Sequence, residues 1–276
     1  MAEKTQLPND EKTMSFWDHL EELRKVLVRS ALAVTVLSII AFMNRQFIFD
    51  SIVLAPTKPD FLTNKFFCWA GEYFSIEGIC MDNSGMEIIN LNMSGQFMTH
   101  MYISFIVGVF IAFPFILSQI WRFIRPALHS TEAKLSGWAI IASSLLFFMG
   151  ALFSFYMIIP MTINFFSGYQ VSEMVSNQIS LTSYISTFVS LNFGIGLVFE
   201  LPVLVFFLTK IGIVTPAFLK KNRKYTLIIL LIIAAIITPP DMFTQILTTI
   251  PLVGLYELSI LVSSRVYKKQ QQAAAV

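Results

Sequence analysis

Hydrophobic residues in this chain fall into long unbroken runs separated by short polar stretches. Val26 to Met43, Met101 to Trp121, Ser136 to Ile158, Tyr184 to Ile211 and Phe243 to Val262 are the clearest. A bilayer hydrocarbon core about 30 Å thick is crossed by roughly 20 mostly apolar residues of helix, so each run predicts a membrane span. A sixth run, Thr226 to Thr238, is free of charge over only 13 residues, or about 20 Å of helix. To cross, it either recruits Leu219 to Tyr225 and lets their charges snorkel, or lies where the bilayer is thin. The pattern predicts an all-α polytopic membrane protein with six transmembrane helices, the fifth short, in one integral domain over residues 1–276.

Composition agrees: 55% of the 276 residues are hydrophobic and 13% charged, and the mean hydropathy is +0.69, above what a soluble core needs. The net charge of +2 says less than where the basic residues lie. Arg24, Lys25 and Arg29 flank the first run. Arg122, Arg125 and Lys134 separate the second from the third, Lys220, Lys221, Arg223 and Lys224 the fourth from the fifth, and Arg265, Lys268 and Lys269 follow the last. Alternating spans put all of these on one side. On the other side Pro160 to Ser183 and Pro239 to Gln245 hold no Lys or Arg. By the positive-inside rule both termini are expected in the cytoplasm. The polar N-terminus lacks a cleavable signal pattern, so the first span is expected to serve as the insertion signal.

The segments between runs predict further parts. Residues 15–25, "SFWDHLEELRK", combine a capping Ser15 and an early Asp18 with Phe16, Leu20 and Leu23 on one face, as a short cytoplasmic amphipathic helix would. Residues 45–97 form a long exoplasmic loop with Pro56, Pro59, Gly71, Gly78 and Gly85, read as an ordered cap. Residues 122–135 form a cytoplasmic loop and 263–276 a cytoplasmic tail. Cys68 and Cys80 lie in the exoplasmic loop, where thiols can be oxidised; spacing alone leaves a disulfide and a free pair open. Two cysteines without a nearby histidine make a poor metal site. No repeat relates the two halves, which argues against an inverted-repeat transporter.

No G-x-S-x-G, H-E-x-x-H, P-loop or Rossmann glycine pattern is present, and His19, His100 and His129 are scattered. Gly194 and Gly196 read as helix-packing residues. No enzyme, cofactor, metal or nucleic-acid partner is expected.

Three carboxylates stand out. In the first stretch Glu21 can pair with Lys25 on a solvated face, while Glu22 is the acid that would be presented to a ligand. In "WRFIRPALHSTEAKL" Pro126 ends one helix and Ser130 or Thr131 caps the next. Glu132 then lies in a first turn, where the helix dipole alone favours it. It shares a compartment with Phe123, Arg125 and Glu22. The third, Glu200 in "GIGLVFELPV", is inside a span, where an acid costs roughly 3 kcal/mol and normally faces a bundle interior or wet cavity. At 100° per residue Ser186, Asn192 and Gly196 share a broad face with it, and Pro202 adds a kink. These residues predict a polar recess. Glu257, near the end of the last run, can simply reach the interface.

Four stretches, "SFWDHLEELRK", "QIWRFIRPALHSTE", "FELPV" and "TPPDMFTQ", occur in that order and together resemble the signature stretches of the TatC family, the multispanning receptors of the twin-arginine protein translocase. The resemblance covers about Ser15 to Arg265. It implies a concave six-helix bundle of the bacterial inner membrane that binds twin-arginine signal peptides of folded proteins. It also implies assembly with TatA- and TatB-type single-span subunits, further copies of the chain within a larger complex, and use of the proton motive force. Carried over by position, Glu22 and Glu132 match the signal-peptide-binding acids, with Arg24, Phe123 and Pro126 beside them. Glu200 matches the intramembrane acid, and Pro56, Asp241 and Glu257 match structural or assembly positions. The chain departs from the family pattern at Val26, where an arginine is frequent, at Ala133 after the loop acid, and in its long cysteine-bearing loop.

Two other classes compete. An ion- or proton-coupled small-solute transporter would use Glu200 in a polar recess. An intramembrane hydrolase would need a nucleophile and base, for which Ser190 with Glu200 is the best pair available.

Overall fold

A segment in lipid must satisfy its peptide groups internally, and the apolar runs accordingly form helices in the computed structural model. The structure describes residues 16–75, 80, 87–124, 136–172, 174, 177–238 and 242–274. Helix α1 (Phe16–Met43) is followed by a π-helical segment (Phe47–Val53), a 3-10 turn (Ala55–Thr57), α2 (Leu62–Phe74), β1 (Ile88–Ile89) and α3 (Gly95–Ile124). Next come α4 (Ser136–Phe153), a π-helical turn (Ser154–Ile158), α5 (Ile159–Gly168), β2 (Ile179–Ser180), α6 (Leu181–Val198) and α7 (Leu201–Lys210). The chain ends with α8 (Pro216–Lys221), α9 (Arg223–Ile237) and α10 (Met242–Ala274).

Among the described residues five helical stretches are long and apolar enough to cross a membrane: His19–Met43, Gly95–Phe123, Gly137–Gly168, Leu181–Lys210 and Met242–Gln272. The third joins α4 to α5, and the fourth joins α6 to α7. The 15-residue α9 is about 22 Å long, short of that length. It takes in Arg223 to Tyr225, but a break at Asn222 leaves Leu219 to Lys221 in the separate α8.

Two boundaries differ from the sequence expectation. The stretch 15–25 is not a helix of its own: its described residues are the opening turns of α1, since no Gly or Pro interrupts Phe16 to Met43. The expected tail likewise continues α10 as helix to Ala274, because Lys, Gln, Arg and Ala are strong helix formers whether or not lipid surrounds them.

α1 runs along α3, α4 packs on α6, and α7 and α9 pack on α10. At the first crossing a Cβ on Gly108 would stand 2.8 Å from the Ser38 nitrogen and 2.9 Å from the Val34 carbonyl, so only glycine allows this approach of two backbones. One buried cluster centres on Ile103, Ile158, Ile185, Leu191 and Ile195. A second, in the C-terminal half, centres on Val205, Leu230, Ala234, Leu252 and Ile260.

The segment between α1 and α3 and the one between α5 and α6 are tied together. β1 and β2 pair in parallel, Ile88 opposite Ile179 and Ile89 opposite Ser180. The Tyr184 hydroxyl donates to the Val53 carbonyl, next to the buried Pro56 of the 3-10 turn. Cys68 and Cys80 are joined in a disulfide.

Candidate functional site

The start of α1 and the end of α3 meet. His19 stacks on Phe123, ring centroids 4.1 Å apart and planes 25° from parallel, which joins the "HLEELR" stretch to the start of the "RFIRP" stretch. Glu22, three residues after His19, shares its helix face and is partly buried, whereas Arg24 is exposed. Glu21 takes Lys25 as its ion-pair partner at 2.8 Å. Glu22 and Arg24 form no salt bridge among the described residues. Lys25 is thus engaged by Glu21 and not by Glu22 as its salt-bridge partner. Pro126 and Glu132 lie outside the described residues, as does Asp241.

Glu200 occupies the junction of α6 and α7. Pro202 at the start of α7 has no N–H to give to the preceding turn, and the helix interrupts at Phe199 and Glu200 before resuming at Leu201. The carboxylate is half-buried. Its Oε2 accepts a hydrogen bond from the Ser143 hydroxyl on α4. Oε1 is buried with no hydrogen-bond partner among the described residues. Beside it Gly150 admits the Phe199 ring, which would stand 2.7 Å from a Cβ there. Phe147 fills the groove at Gly196, stacks on Phe113 at 3.6 Å and lies 6.1 Å from Phe193.

This packing removes most of the expected recess. Phe147 occupies the space beside Gly196, and Asn192 is buried and donates to the Phe188 carbonyl of its own helix at 3.0 Å. Ser186 lines a different cavity, with Asn92, Met98 and Tyr102. An apolar groove of about 400 Å³ lies between α4, α7 and α10, lined by Trp138, Leu146, Pro202 and Phe206. Gly194 and Gly196 are packing residues, the former against Ile237. Ser190 donates to the Ile237 carbonyl at 2.8 Å, so its hydroxyl is engaged away from Glu200.

Glu257 on α10 accepts a hydrogen bond from Arg223 at the start of α9, at 2.8 Å and with both side chains about half exposed. Its neighbour Tyr256 donates to the Leu219 carbonyl of α8 at 2.8 Å. Ser143 and His19 are the partners that sequence reasoning missed. Ser143 does show as a polar pair with Ser144 inside an apolar run, but nothing in the spacing points it at an acid 57 residues away. Among the described residues no group of three His, Cys, Asp or Glu is arranged to hold a metal ion.

A family model described as Sec-independent protein translocase protein (TatC) matches residues 18–251. The Sec-independent protein translocase protein TatC of Blattabacterium sp. is 38% identical over 266 residues, covering 96% of this chain and 100% of that protein. The corresponding TatCy of Bacillus subtilis is 34% identical over 262 residues, 95% and 93% of the two chains. A crystal structure of the twin arginine translocase receptor TatC superposes with a TM-score of 0.69 at 34% identity, covering 89% of this chain and 97% of that one. The chain therefore belongs to the TatC family, subunits of the Sec-independent protein translocase that are multi-pass proteins of the bacterial inner membrane and not catalytic enzymes.

Proposed function

We propose that this chain is the signal-peptide receptor of its translocase and that Glu22 and Glu132 read the twin-arginine pair. The observation that carries the reading is the His19–Phe123 stack. It holds Glu22, without a salt bridge among the described residues, beside the chain that leads through Pro126 to Glu132. A guanidinium is always charged and offers a planar fork of donors that a carboxylate takes bidentately. A lysine presents a point charge and loses that geometry. Two acids on separate elements therefore distinguish consecutive arginines from lysines, with Arg24 setting the local charge balance and Phe123 and Pro126 shaping the loop.

In this reading the chain has six spans with both termini cytoplasmic. The exoplasmic cap lies at 45–97 and the cytoplasmic loop at 122–135. The chain assembles with TatA- and TatB-type single-span subunits and with further copies of itself, and export of folded cargo is driven by the proton motive force. Glu200 offers its second oxygen to a polar group on a partner helix or on the inserted signal hairpin. Pro56, Asp241 and Glu257 hold the frame. The short α9 thins the bilayer where cargo crosses; normal membrane thickness, reported by the accessibility of cysteines engineered on either side of Thr226 to Thr238, would count against that last point.

The test is binding of a fluorescent twin-arginine peptide to the purified chain, against its twin-lysine version and the Glu22→Gln and Glu132→Gln variants. Arginine-selective binding that falls with either substitution supports the receptor reading. Equal binding of both peptides, indifferent to both substitutions, defeats it. The small-solute transporter loses support from membership of a protein-translocase family.

A further inference from the structure

Helix α2 carries an outward face that neither the bundle nor the proposed receptor site uses. At 100° per residue Leu62, Phe66, Trp69 and Tyr73 fall within about 60° of one another. All four are between 58% and 70% exposed. Trp69 stacks on Tyr73 at 5.6 Å, with Phe66 6.1 Å away on its other side. On the opposite face Asn64 and Gly71 are buried, and the Asn64 amide donates to the Lys58 carbonyl at 3.0 Å. Lys65 and Glu72 lie exposed along one flank. Cys68 is about 130° round from the stripe, so its disulfide ties the following chain to the side away from it.

The level of this helix follows from its anchors. The Thr63 hydroxyl donates to the Tyr156 carbonyl. Phe61, just ahead of α2, stacks on Tyr156 at 5.5 Å and meets Phe155 edge-on at 5.4 Å. The span carrying these residues runs from Gly137 to Gly168. Counted from the Gly137 end, roughly 20 of its residues suffice to cross the hydrocarbon, and that count ends in the neighbourhood of Tyr156. The helix continues for roughly 18 Å beyond that point. α2 is therefore docked on the flank of this span at the hydrocarbon edge, not on its tip. Leu152, Tyr156 and Met157 of the same span are exposed there, so α2 is anchored beside exposed apolar side chains of a membrane-length helix. Tryptophan and tyrosine favour this level because their rings are apolar and their N–H and O–H groups reach water.

We propose that α2 is an interfacial membrane helix, its Leu62–Phe66–Trp69–Tyr73 face seated in the headgroup region of the outer leaflet and its Lys65 and Glu72 flank in water. The occupant is lipid, since the stripe is apolar and aromatic, points outward and belongs to a helix anchored on the flank of a membrane-length helix.

The test uses the full chain reconstituted at low protein-to-lipid ratio in vesicles of phosphatidylethanolamine and phosphatidylglycerol, with and without acyl chains brominated near the headgroup. The emission of Trp69 is taken as the difference between the native chain and Trp69→Phe. Brominated lipid is expected to quench that difference several-fold while aqueous iodide barely affects it. Quenching by iodide and not by brominated lipid would overturn the proposal. Protection from both quenchers that grows with the protein-to-lipid ratio would also overturn it, assigning the stripe to a second copy. Since both native cysteines are paired, a nitroxide placed through Leu62→Cys or Glu72→Cys gives a second measure. Collisions with oxygen should dominate at 62 and with a water-soluble nickel chelate at 72; equal or reversed preferences would sink the idea.

Discussion

Glu22 and Glu200 are the same residue type in opposite settings, and the contrast separates what each can do. Glu22 sits near the start of α1, partly buried and without a salt bridge among the described residues, while its neighbour Glu21 holds Lys25. An acid at a solvated edge keeps its hydration until a ligand displaces it, so little energy opposes its waiting there. Glu200 is enclosed by Ser143, Phe199 and the Phe147 cluster, and one of its oxygens is buried and unmatched among the described residues. The rim acid is suited to binding a soluble cation, and the junction acid to meeting a group that arrives within the membrane.

The contrast is broken most strongly at the rim. The double substitution Glu22→Gln with Glu132→Gln should weaken twin-arginine peptide binding by about 2 kcal/mol or more, roughly thirty-fold. It should leave thermal unfolding in detergent unchanged. Glu200→Gln should change neither peptide affinity nor thermal unfolding, since an amide still accepts from Ser143; its effect should appear in transport across vesicles. A loss of peptide affinity at Glu200→Gln equal to that at Glu22→Gln would erase the distinction.

Packing around the junction gives the next largest effect. In Gly196→Val the new Cβ would lie 2.9 Å from the Phe147 ring, which is fully buried and stacked on Phe113. Overpacking of this kind costs about 1–3 kcal/mol, read as a lowered midpoint of thermal unfolding. Peptide affinity of the folded fraction should persist. His19→Ala removes an aromatic stack worth about 1 kcal/mol and should cost several-fold in peptide affinity with little change in unfolding. A much larger loss would mean that His19 touches the peptide itself. Smallest is Glu257→Gln, where a half-exposed ion pair contributes about 0–1 kcal/mol; a shift of unfolding beyond that would show that the α9–α10 contact carries more of the fold than its exposure suggests.

Apolar periodicity exposed the helices because lipid allows a spanning segment few other solutions. The runs from Met101 and Tyr184 needed no tertiary information to be seen as spans. Their ends were harder. α10 passes from lipid to water without changing conformation, and α4 passes into α5 through a π turn, so hydropathy marks the solvent boundary and not the helix boundary. At Glu200 the acid and Pro202 were visible as an interruption, but the packing beside them was not. Phe147, on another helix, occupies the space that the face of α6 leaves at Gly196.

By itself the sequence determined that the chain lives in a membrane, where its long helices lie, and which acids are unusual, because these follow from local hydropathy and from motifs that keep their order. Tertiary structure alone decided that Glu200 meets Ser143, that His19 meets Phe123, that Cys68 is bonded to Cys80, and that α2 hangs on the flank of a span with its aromatic face outward. Each of these is a contact between segments whose separation in the chain carries no record of their distance in space. Helix packing sets that distance, and it depends on the shapes of all the surfaces at once.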